Sequence, residues 1–83
     1  MVVGSLITVN PSSGAKKRLS FVVYHEDKDT FSFAFRKRFI RAADPDKLQA
    51  AAQKLSQNTF IEFDDEALGE IGYSDKLSNT QKS

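Results

Sequence analysis

The reading of this chain turns on Phe31-Ser32-Phe33-Ala34-Phe35-Arg36-Lys37-Arg38-Phe39-Ile40-Arg41. An extended backbone sends successive side chains to opposite faces, so Phe31, Phe33 and Phe35 line one side and Ser32 and Ala34 the other. Burying three phenyl rings is worth roughly 1.5 to 3 kcal/mol each before chain entropy is charged against it, so this row is the expected sheet half of the core. The second half of the stretch turns basic. Keeping the same parity brings Lys37 and then Phe39 into the row, so either the strand outruns its cover near Lys37 or a bulge shifts the alternation.

Upstream, Lys16-Lys17-Arg18 leads into Leu19 to Tyr24, where Leu19, Phe21 and Val23 share one side and Ser20, Val22 and Tyr24 the other. The first set is expected to face the phenylalanines across an antiparallel pair, with His25 to Asp29 as an exposed turn between the strands. Residues 5 to 9 form a β-prone run ended by the turn formers Asn10-Pro11-Ser12-Ser13-Gly14, and make either an edge strand or a loosely attached arm.

Downstream, Asp44 caps a helix, Pro45 suits its first position, and Asp46 opposes the positive end of its dipole. Leu48, Ala51, Ala52 and Leu55 then recur at helical spacing, while Lys47, Gln49, Gln53 and Lys54 face away. Asn58 suits a left-handed helix end. Phe60, Ile61 and Phe63 precede Asp64-Asp65-Glu66, and a last strand is expected over residues 67 to 74, with a helical turn at 64 to 68 as its rival. The expected fold is a two-layer α+β domain over residues 1–77, an antiparallel sheet of three to four strands with one helix on one face, in the order β-β-β-α-β. Residues 78–83 hold no apolar side chain and read as a polar, disordered tail.

Composition narrows the function classes. The 83 residues are 40% hydrophobic and 28% charged, ordinary for one small globular domain. Cysteine is absent, so neither disulfides nor thiolate-bound metals are available. The amino terminus does not resemble a secretory signal and no apolar run is long enough to span a bilayer, so the expected location is cytoplasmic, with no membrane partner. The net charge is +1, but residues 1–41 carry +5 and residues 42–83 carry −4. The halves either neutralise each other on folding or leave a basic face for an acidic partner.

The stretch from Lys17 to Leu77 resembles a family of short uncharacterised ββαβ-type proteins of Gram-positive bacteria. The matching parts are Arg38-Phe39, Asp44 with Leu48, Ala52 and Leu55, and Ile71-Gly72-Tyr73-Ser74-Asp75-Lys76-Leu77. The resemblance implies the strand-pair, helix, strand layout and transfers no functional residue.

No constellation for catalysis stands out. His25 is the single histidine and reads as a solvated turn residue without a nucleophile or pocket beside it. Glu62, Asp64, Asp65 and Glu66 lack the spacing of a calcium loop, and the four glycines form no phosphate-binding motif. The expectation is a non-enzyme with no cofactor and no metal. Lys16, Lys17, Arg18, Arg36, Lys37, Arg38 and Arg41 are expected to gather at one end of the sheet and to hold an acidic partner. Seven phenylalanines also exceed what one narrow Leu/Ala stripe covers. The leading reading is therefore protein binding or self-association, as a homodimer, through a sheet edge or an apolar face. The alternative is salt-sensitive nucleic-acid binding by the basic cluster, with Tyr24, Phe39 or Tyr73 as stacking surfaces.

Overall fold

The computed structural model describes residues 1–73, so the expected tail at 78–83 lies outside the described residues. The fold is α+β. Its strands are β1 (Val2–Val9), β2 (Lys16–His25), β3 (Thr30–Phe35), β4 (Arg38–Ala42) and β5 (Thr59–Phe63), with α1 (Pro45–Leu55) between β4 and β5 and α2 (Asp65–Glu70) after β5. They form one antiparallel sheet in the order β4-β3-β2-β1-β5. Among the described residues, five strands and two helices thus replace the expected three to four strands and one helix.

The additional strand comes from the basic half of the Phe31–Arg41 stretch. Phe35 pairs with Arg38, so the chain reverses at Arg36 and Lys37 and returns as β4, in place of a continued strand or a bulge. Arg36 holds φ at 58°, in the left-handed region, which lets so short a connection follow the strand twist. β1 is neither an edge nor an arm: it lies between β2 and β5, with Val3 and Leu6 fully buried. Gly4 makes that position possible, because a Cβ there would stand 2.6 Å from the Glu62 carbonyl oxygen of β5.

Pairing sets the faces of β2 opposite to the sequence expectation. Val22 stands opposite Phe33 and Tyr24 opposite Phe31, which puts Val22 and Tyr24 on the covered side and Phe21 and Val23 on the other. Two bulges adjust β1 against β2. One adds Val3 between Val2 and Gly4; the other adds Leu19 between Arg18 and Ser20. As a result Val2, Ser5, Ile7, Arg18, Phe21 and Val23 share the uncovered face.

The core is a single cluster on the covered face. Phe31, Phe33, Val22, Val3, Leu6 and Ile61 meet Leu48 and Ala52 of α1 and Ala67 and Leu68 of α2. Asp44 caps α1 as expected, its carboxylate accepting from the Lys47 N–H at 2.8 Å. The helix ends at Ser56 in extended geometry, not at a left-handed Asn58. Gln49 does not face away. It donates to the Ile61 carbonyl at 2.8 Å and accepts from the Ile61 N–H at 2.7 Å, occupying the outer edge of β5. The expected strand at 67–74 gives way to the rival helical turn. Asp64 accepts from the N–H groups of Glu66 and Ala67 at 3.1 and 3.4 Å, which starts α2 and folds it back over β1.

Candidate interaction surface

Both helices lie on one face of the sheet, and among the described residues nothing covers the other. Two phenylalanine side chains stand out there: Phe39 on β4 is 76% exposed and Phe21 on β2 is 50% exposed. Val2 of β1 is 52% exposed on the same face. Ile7 is only 7% exposed although it lies outside the core cluster, because its cross-strand neighbours are Arg18 and Phe60. Single exposed apolar residues are ordinary on a protein surface, but here Phe39 of β4 stands opposite Ala34 of β3, and Phe21 of β2 and Val2 of β1 share the same face.

Two cations of this face, Lys16 and Arg18, are engaged within it. The Lys16 ammonium contacts the Glu62 carboxylate at 3.1 Å and lies 5.9 Å from the Phe60 ring centre. Arg18 donates through Nε to Ser5 Oγ at 3.0 Å, with its guanidinium 4.6 Å from the centre of Phe21. Lys16, Lys17 and Arg18 begin β2 at the end of the sheet where Arg36, Lys37 and Arg38 join β3 to β4, so six of the seven basic positions share that end but divide between its two faces. Lys16 and Arg18 lie on the uncovered face, whereas Lys17, opposite Thr8, points to the helix side. Arg36 lies 5.2 Å from the centre of Phe35, and Lys37 and Arg38 follow it at the same end of the sheet. Arg41 stands apart, opposite Ser32 and farther along β4.

What the fold does bring out is a charge gradient across the sheet. From Arg36 to Ala42 the chain has four cations and no anion; from Thr59 to Tyr73 it has Glu62, Asp64, Asp65, Glu66 and Glu70 and no cation. The first segment is one margin of the sheet; β5 with Glu62 is the opposite margin, four strand spacings or about 19 Å away, and from there α2 carries the other carboxylates back over β1 on the helix side. Among the described residues one ion pair, Lys16 to Glu62, joins the two oppositely charged halves. Sequence showed the imbalance, but its direction across the sheet depends on strand order.

The two margins also differ as edges. β5 has its outward Ile61 groups taken by Gln49, while β4, among the described residues, pairs only with β3. His25 is not a solvated turn residue: it ends β2, is half-buried, and its Nε2 lies 2.6 Å from Ser32 Oγ. Near the same turn Tyr24 donates to Asp29 at 2.7 Å, and its ring contacts Phe31 and Tyr73 at centre separations of 4.9 and 6.5 Å. That hydrogen bond, then burial, push the Tyr24 phenol up to about 12. Burial, with Asp29 nearby, also raises Tyr73. No helix among the described residues is long and apolar enough to cross a membrane. No protein-family model, curated protein or solved structure matches this chain.

Proposed function

We propose that this chain is a non-enzymatic interaction module that docks a second copy of itself through the uncovered sheet face. The observation that carries the reading is the exposure of Phe39 and Phe21 on a face that no element among the described residues covers. A second copy is the favoured occupant because the same face carries exposed apolar rings, Arg41 on β4 and Glu62 on β5, so a single sequence supplies apolar surface and charges of both signs. Nucleic-acid binding has weaker support. Lys16 is in an ion pair, Arg18 is held by Ser5 and Phe21, and the remaining cations divide between two faces and two places along the sheet.

Sedimentation velocity at tens of micromolar tests this. The wild-type chain is expected to sediment as a dimer, and Phe39→Glu and Phe21→Glu as folded monomers with unchanged far-ultraviolet circular dichroism. A wild-type monomer at that concentration overturns the reading. A labelled single strand bound with micromolar affinity at low salt, and released by Arg36→Glu with Arg38→Glu, would establish nucleic acid as the partner instead.

A further inference from the structure

We infer that the outer edge of β4 is a docking strand for an extended acidic segment of a partner protein, in which two carboxylates flank two apolar residues. The site lies beside the uncovered face, and its occupation does not depend on self-association. Open backbone groups, the charges around them and the spacing of those charges define it.

The two edge strands differ. At β5, Gln49 already occupies the outward N–H and C=O of Ile61. Along β4, a two-residue connection closes on a hydrogen-bonded pair, here Phe35 and Arg38, and alternation makes Phe33 with Ile40 and Phe31 with Ala42 the next two. Phe39 and Arg41 therefore turn their N–H and C=O groups away from β3, and both residues are exposed. Among the described residues, β4 has no second strand beside it and no side chain placed across this edge as Gln49 is across β5. An extended chain laid along β4 would pair with these groups as an added strand.

The charges select the added strand. From Arg36 to Ala42 the chain has four cations and no anion, so two β4 strands side by side bring only like charges together. An acidic strand gains from the same side chains. Arg38 and Arg41 are three residues apart, so an extended backbone sends them to opposite faces: Arg38 with Ile40 to the helix side, Arg41 with Phe39 to the uncovered one. The partner residues across from these arginines are likewise three apart, and the two between them lie against Phe39 and Ile40. The order acid, apolar, apolar, acid matches every position, and it reads the same whichever way the partner strand runs.

The probe is the fluorescein-labelled peptide Thr-Glu-Val-Val-Glu-Thr, and its control, Thr-Val-Glu-Glu-Val-Thr, has the same composition and charge. In fluorescence anisotropy at low salt the first is expected to bind about fivefold more tightly than the second, and to weaken as salt is added. Arg38→Glu combined with Arg41→Glu is expected to lose the acidic peptide and to bind Thr-Lys-Val-Val-Lys-Thr instead, with unchanged far-ultraviolet circular dichroism. Hydrogen exchange of the Phe39 and Arg41 N–H groups is expected to slow about tenfold when the acidic peptide is saturating, whereas Ile61, held by Gln49, is protected with or without it. Equal affinity for the two acidic peptides overturns the edge site. So does binding that leaves the Phe39 and Arg41 N–H groups exchanging as fast as in the free chain, or an absence of binding at millimolar peptide.

Discussion

Tyr24 and Asp29 tie the two ends of the β2–β3 connection through one bond to a charged acceptor. Asp29 sits at φ 50°, a left-handed conformation that aspartate tolerates better than most residues, and from there its carboxylate reaches the phenol. The folded phenol keeps its proton up to about 12, whereas an unfolded tyrosine releases it near about 10. The bond's contribution is therefore complete below about pH 10 and is lost as pH rises toward about 12. Urea midpoints measured across that window should fall with pH, and Tyr24→Phe should start lower at neutral pH and fall less steeply. Some slope should persist from Tyr73, whose phenol is also raised. An identical slope in the variant would assign the titration to another group. Pairings of this kind are not legible from residue types: Tyr24 reads as half of an indifferent strand face, and His25 as a turn residue, until the register with β3 is known.

The α1–β5 junction and the β3–β4 turn show how single side chains define elements. Gln49 spans from helix to strand and satisfies two outward backbone groups of Ile61. Each such bond is worth about 1 kcal/mol net, with a further cost when a partly buried group is left unpaired. Gln49→Ala is expected to lower unfolding stability by about 1 to 3 kcal/mol, against less than about 0.5 kcal/mol for the exposed Gln53→Ala. Equal effects in urea unfolding would show that the amide contributes nothing. The variant should also aggregate more readily, since it uncovers a strand edge. In the turn, Arg36 holds φ at 58°, which costs a non-glycine residue about 1 to 2 kcal/mol. Its ring contact with Phe35 is exposed and returns about 0.5 to 1 kcal/mol. Arg36→Gly is thus expected to raise the melting temperature by a few degrees, and a fall would mean that the Arg36–Phe35 contact outweighs the backbone term. Helical spacing made α1 readable with its cap, but the same periodicity assigned Gln49 to solvent because β5 had no place until the chain had folded.

At the scale of the whole molecule, a two-layer domain covers one face of its sheet and leaves the other to solvent or to a partner. Hydrophobic burial on the covered side is complete for Phe31, Leu6, Leu48 and Leu68, whereas Phe39 and Phe21 remain outside it. The proposed dimer would remove these rings from water. By itself, the sequence determined the α+β class, the Phe31–Phe33 core row, the capped start of α1 and the imbalance of charge between the halves. Each of these rests on local chemistry: side-chain alternation, helical period, a free N–H near a carboxylate, a count of charges. Only the tertiary structure decided that β4 is a separate strand, that β1 is internal, that β2 turns Phe21 outward, and that Arg41 and Glu62 stand on opposite edge strands. Those outcomes depend on strand order and register, and a one-residue change of register exchanges the two faces of a strand without altering its local pattern.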